Sequence, residues 1–262
     1  MSNEPDREDF APQPFFEEWE SYLHQNVAHF SLLDETEQNR LRADLSVLVA
    51  EKNWEGCRGL QITEEMQVTI AAQASLLLLH LEHDYFSRVS SILVYPSGFV
   101  IPFGLETGES EWTFAARGQA VYRGPVILAW DTALAEGRDP STGQNLVIHE
   151  FAHQLDFLDG EFNGTPELAD PSREERWGEV MLAEYTRLRR DLRRGRQTFL
   201  GDYASKDEGE FFAVASERFY TRPERLRHLH PELYDVLVEY YGVDPIRWFA
   251  KKPGAPEDQQ RQ

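Results

Sequence analysis

Cysteine is almost absent. Cys57 is the single thiol in 262 residues, so no disulfide can close within the chain. A structural zinc site, which wants four protein ligands and usually several thiolates, is disfavoured for the same reason. One thiol suits a reducing compartment, and the expected location is cytoplasmic. Long apolar runs are missing too: the longest, ASLLLLHL, is too short to span a bilayer. The opening residues, MSNEPDREDFAPQPFFEEWE, have no basic region ahead of an apolar run and do not read as a secretory signal. Positive charge is scarce, with 26 lysines and arginines against 46 carboxylates and a formal net charge of -20. Such a chain repels phosphate backbones and anionic lipid, which argues against direct binding of nucleic acid or a membrane surface.

What is present suffices for one large domain. Hydrophobic residues make up 41% and aromatics 12%, enough for a sizeable core. Residues 1–14 and 251–262 are polar, contain proline, and read as loose tails around a domain at 15–250. DETEQNRLRADLSVLVAEKNWEG has helical apolar spacing and is expected to run as a helix to Gly56. TEEMQVTIAAQASLLLLHLEH reads as a buried helix starting at Thr63. VSSILVYPSGFVI and QAVYRGPVILAW are rich in β-branched and aromatic residues and read as strands. Three helical stretches follow, the last of them broken by Pro223 and Pro231. Helices, then a few strands, then helices suggest an α+β domain, mostly helical, with a small mixed and largely non-parallel sheet.

The stretch NLVIHEFAHQLDFLDG carries the chemistry. Asp139 and Pro140 offer an N-cap and first position, and Gly160 offers a stop. At about 100° per residue, His149, His153 and Asp156 share one face of that central helix. Val147, Ile148, Phe151, Leu155 and Leu158 point the other way. Imidazoles at i and i+4 reach one metal ion. Glu150 projects about 100° further round, too far to ligate beside them but placed to take a proton from a metal-bound water. H-E-x-x-H on a helix signals a zinc peptidase for this reason. Asp156 is a candidate partner for the free N–H of a ligating histidine.

A catalytic zinc takes three protein ligands, and HQLDFLDGEF contains no third histidine at the short metzincin spacing. A second helix, in DYASKDEGEFFAVASERFY, offers Glu210 and Glu217, seven residues apart on one face. Glu210 could equally be a capping partner of Asp207, and Glu217 a structural hydrogen-bond acceptor. Spacing alone does not choose between them.

Five blocks in order, GLQITEEMQVTIAAQASLLLL, ILVYPSGFV, GPVILAW, LVIHEFAHQLD and YASKDEGEFFAVASERFY, resemble the Mlc titration factor A family of bacterial zinc metallopeptidases. The resemblance spans about residues 20–250. It implies a zincin-like catalytic domain similar to that of anthrax lethal factor, with one zinc per chain. It assigns Glu210, which opens EFFAV, as third ligand beside His149 and His153, and Tyr203 as an active-site residue. It further implies aminopeptidase-type activity on short peptides and binding of an Mlc-type transcription repressor. Ser75 stands where the family pattern has cysteine, and RFY replaces a more usual FF ending; neither position is a metal ligand. Within that reading Glu150 is the general base and Tyr203 the donor to the oxyanion, with Tyr220, His228 and His230 as other candidates. Substrate backbone is expected to pair with the strand edge of GPVILAW or ILVYPSGFV, and the net charge to favour basic or neutral peptides.

Overall fold

The computed structural model describes residues 17–100, 115–116, 118–120, 124–158, 160–168 and 170–250. The expected tails at 1–14 and 251–262 lie outside them. Three helices lead: α1 (Glu17–Asn26), α2 (Glu35–Glu51) and α3 (Glu64–Ser75). A reciprocal capping box between Asp34 and Glu37 starts α2. The helix stops at Glu51, not Gly56. Asn53–Gly56 is instead strand β1, paired in register with Ser91–Val94. The local helical period gives way there because a neighbouring strand satisfies the same backbone groups. Thr63 caps α3 as expected, accepting from the Met66 N–H. Every residue from Val68 to Ser75 is buried, as an apolar helix without a polar face requires.

The remaining strands are β2 (Ser91–Tyr95), β3 (Phe99–Val100), β4 (Ala115–Ala116), β5 (Gly118–Ala120) and β6 (Val126–Ala129). The main sheet has the order β1-β2-β6-β5, and β3 pairs with β4 separately. The sheet is mixed, but not largely non-parallel: β1–β2 and β2–β6 are parallel, and only β5–β6 is antiparallel. Parallel neighbours need a long crossover, and α3 supplies it between β1 and β2. Seven more helices follow among the described residues: α4 (Trp130–Arg138), α5 (Leu146–Asp156), α6 (Glu174–Arg193), α7 (Glu208–Thr221), α8 (Pro223–Leu229), α9 (Pro231–Tyr241) and α10 (Ile246–Ala250). Pro223 and Pro231 each break one helix and open the next at its first turn, where a missing N–H costs nothing. No helix among the described residues is long and apolar enough to cross a membrane.

The H-E-x-x-H segment is α5, buried along its whole length between α3 and α7. Its start differs from the expected one. Asp139 and Pro140 build a separate 3-10 turn, in which Asp139 accepts from Ser141 N–H. The cap of α5 is Asn145, whose Oδ1 accepts from Ile148 N–H at 2.9 Å. Asn145 Nδ2 also donates to Gln73 Oε1 on α3 (2.9 Å), and Gln73 Nε2 donates to the Ala133 carbonyl on α4 (3.2 Å). Glu136 of α4 accepts from Leu146 N–H. One buried polar chain therefore pins the start of α5 to two other helices. The far end closes at Phe157; Gly160 takes a left-handed φ of 98° three residues later, in the loop beyond the helix.

Candidate metal centre

α5 and α7 pack face to face, and their polar residues meet at the seam. His149 Nε2 lies 3.2 Å from His153 Nε2 and 3.1 Å from Glu210 Oε2, and His153 Nε2 lies 3.4 Å from the same oxygen. All three side chains are buried. Ligands held about 2.0–2.1 Å from one tetrahedral zinc stand about 3.3–3.4 Å from each other. The three donor atoms already have that spacing, so a cation of zinc's size fits among them.

The surrounding bonds explain which lone pairs face inward. Asp207 caps α7 by accepting from the Glu210 N–H at 2.8 Å, which fixes the backbone of Glu210 and leaves its side chain to reach α5. Both readings of Glu210 thus describe the same residue, its backbone in the cap and its carboxylate in the cluster. Glu217, two turns on, accepts from His149 Nδ1–H at 2.6 Å. With Nδ1–H held by Glu217, His149 presents its Nε2 to Glu210 and His153. Glu217 therefore holds the position that the sequence suggested for Asp156. Asp156 is fully buried at the end of α5, where its charge acts on Tyr240 and Tyr241. The misplacement follows from the helix wheel, which ranks residues of one helix and says nothing of a partner helix.

The electrostatics match a cation site. Burial opposes charge on Glu210, yet hydrogen bonds from His149 and His153 hold its carboxyl well below the usual range, so it stays ionised. Burial lowers the pKa of His153, with only partial compensation from Glu210, and keeps that ring neutral as a ligand must be. Burial also disfavours charge on His149, but bonds to Glu210 and Glu217 outweigh it and raise its pKa well above 6.5. Without a metal, a proton on His149 offsets one of the two flanking carboxylate charges. An entering metal ion displaces that proton.

Glu150 is buried one position along from His149, and its charge raises the pKa of both His149 and Tyr203. Tyr203 sits in the 3-10 turn Tyr203–Ser205 and is 46% exposed, at the mouth of the site. Its hydroxyl donates to Glu210 Oε1 at 2.7 Å, and Lys206 Nζ donates to the same oxygen at 3.4 Å. Burial, and then the Glu210 carboxylate, push the Tyr203 phenol far above its ordinary pKa, so it keeps its proton. The alternatives to Tyr203 are engaged elsewhere. Tyr220 is buried against Tyr241 and Trp248, His228 is exposed on α8, and His230 bonds Glu184 Oε2 at 2.7 Å. Sequence reasoning missed Phe162, whose ring stands 5.0 Å from that of His153. It rests on Gly209, where a Cβ would come within 2.2 Å of the ring. The only signal was a glycine placed next to the candidate ligand.

Glu217→Gln keeps the acceptor shape and removes the charge behind His149. Metal affinity is expected to fall about 10–100-fold, measured by competition with a chromophoric chelator.

A helix bearing H-E-x-x-H, faced by a glutamate from a second helix, is the arrangement of a metallopeptidase. Whole-chain comparison agrees. Residues 2–242 match the family model described as glucose-regulated metallo-peptidase M90, and the chain belongs to that family. An uncharacterized protein of Synechocystis is 33% identical over 239 residues, covering 89% of this chain and 86% of its own length. Mlc titration factor A of Serratia proteamaculans is 32% identical over 243 residues, covering 87% of this chain and 88% of its own. The Mlc titration factor A of Yersinia pestis is 30% identical over 256 residues, with 88% and 87% covered.

Proposed function

We propose that the protein is a single-zinc peptidase of aminopeptidase type, acting on short peptides. His149, His153 and Glu210 hold the metal. The observation that carries this reading is the spacing of 3.1, 3.2 and 3.4 Å among three buried donor atoms, with Glu150 beside them. Zinc in that position supplies Lewis acidity, lowering the pKa of water to about 7 and polarising the scissile carbonyl. Glu150 takes the proton of the attacking water and returns it to the leaving amine. Glu217 holds the His149 ring and its tautomer. Tyr203 donates its phenol proton to the carbonyl oxygen as negative charge grows there, after leaving Glu210 Oε1. Metal content of the purified protein, measured with hydrolysis of short peptides carrying free or blocked N-termini, tests the whole reading. About one zinc per chain and a strong preference for free N-termini are expected. Activity on blocked peptides alone would remove the aminopeptidase part.

Tyr203→Phe separates its hydroxyl from its ring. If the hydroxyl acts in the transition state, kcat and kcat/KM fall together by about 10²–10³, with KM little changed. The bond to Glu210 Oε1 supports a second contribution, holding that carboxylate so that only Oε2 faces the histidines. A Phe variant that loses metal while its loaded form turns over normally would leave only this second role.

The name of the Serratia and Yersinia relatives supports a further activity, capture of an Mlc-type repressor in the cytoplasm. Co-elution of the purified protein with such a repressor on size exclusion, with and without Glu150→Gln, tests it independently of hydrolysis.

A further inference from the structure

The charge of this acidic chain is not spread evenly. The C-terminal half of α6 and its exit turn read RLRRDLRRGR, residues 187–196, with six arginines in ten positions. Helical spacing places Arg187, Arg190 and Arg194 on one side of α6. Arg187, at one end of that stripe, meets the end of α8, where its Nη1 donates to the Leu229 carbonyl at 3.2 Å. Across the seam stand Arg222 and Arg225, both exposed. Between the two walls lies Phe199, with the guanidinium of Arg225 at 5.0 Å and that of Arg218 at 5.7 Å from its ring centre, and His230 stacked on it. Arg196 stands at the turn that carries the chain from α6 toward Phe199.

Few carboxylates answer these cations. Arg187 pairs with the buried Glu184, while Arg196 and Arg190 share Asp191. Arg194, Arg222 and Arg225 have no carboxylate within ion-pair distance among the described residues. Arg218 is largely buried and answered by Glu217 at 3.8 Å and by Glu136, and it also feels Arg222 and Arg225 as like charges. Crowded like charges destabilise the folded state, and the chain has 46 carboxylates from which partners could have been drawn. An anion bound there would relieve the repulsion.

We propose that the α6–α8 seam is a docking surface for a short acidic segment of a partner protein. Carboxylates suit the site because guanidinium forks hold them with paired hydrogen bonds, and Phe199 offers an apolar floor between the walls. Length follows from the helix. Arg187 to Arg194 spans about 10 Å at 1.5 Å per residue, so an extended segment of about four residues covers the stripe. The charge of the rest of the chain favours a compact partner over nucleic acid. With Arg187, Arg190, Arg194, Arg196, Arg222 and Arg225 set aside, the other 20 basic side chains face all 46 carboxylates. A phosphate backbone long enough to leave the seam runs into that negative field, whose range is about 8–10 Å at physiological salt. This surface is independent of the metal site, and its test does not need peptidase activity.

The test uses the full chain and a fluorescein-labelled peptide of six alternating glutamate and aspartate residues, followed by anisotropy at low salt. Binding that weakens as salt rises is expected. Arg190→Glu/Arg194→Glu should lose at least about tenfold in affinity, and Arg58→Glu/Arg88→Glu, exposed and outside the seam, should stay within about twofold. Arg222→Gln/Arg225→Gln, on the opposite wall, guards against a folding defect in the first variant and should also weaken binding by about tenfold. Thermal melts by circular dichroism accompany each variant. No binding by the wild type, or equal losses inside and outside the seam, overturns the proposal. So does displacement of the peptide by a single-stranded oligonucleotide of equal charge at lower concentration, which would make the surface a reader of phosphate.

Discussion

Glu150→Gln should keep its metal and lose at least about a hundredfold in kcat/KM, the usual cost of removing a general base. Glutamine has the shape of glutamate and can still accept a hydrogen bond, but it cannot carry a proton from water to an amine. Glu150 leaves the ligand set untouched, because the close contacts that define that set join His149, His153 and Glu210. Fold and metal binding should therefore survive together. The check is metal content and steady-state kinetics on one preparation. Loss of metal from Glu150→Gln, or activity close to wild type, would contradict the assignment of roles along α5.

The second large effect lies on the other helix. Glu210→Gln removes the only charge among the described residues that faces both imidazole Nε2 atoms at once, at 3.1 and 3.4 Å. Metal affinity should fall by more than the about 10–100-fold expected of an outer partner such as Glu217. His153→Ala, which removes a nitrogen ligand, should lose most of the metal as well. Zinc titrations on Glu210→Gln and Glu217→Gln side by side rank the two carboxylates directly. A larger loss from Glu217→Gln would place the metal on the far side of His149 and reverse their roles.

Much of this site was legible before any coordinates, because its parts are local. Two histidines one turn apart on a helix face each other whatever the rest of the chain does, and Glu150 follows from the same geometry. Glu210 was legible only through resemblance, since two carboxylates seven residues apart on one face look alike to a helical wheel. The structure separates them by depth across the α5–α7 seam: Glu210 meets the Nε2 atoms, and Glu217 meets Nδ1 of His149. Asp156 misled for the complementary reason: it shares the right face of its own helix, but Glu217 of the partner helix takes the Nδ1–H of His149. The start of α5 was misplaced because Asp139–Pro140 carries a strong local capping signal. The cap that operates, Asn145, depends on Gln73, 72 residues away. The strand at Asn53–Gly56 was hidden in the same way, because its pairing with Ser91–Val94 is invisible to any short window.

The most direct test of the metal centre is anomalous diffraction at the zinc edge from crystals of the zinc-loaded protein. The account predicts one strong peak per chain, about 2.0–2.2 Å from His149 Nε2, His153 Nε2 and a Glu210 carboxylate oxygen, with Glu217 still bonded to His149 Nδ1. A peak bound by Glu217 in place of Glu210, or no peak between α5 and α7, would contradict it.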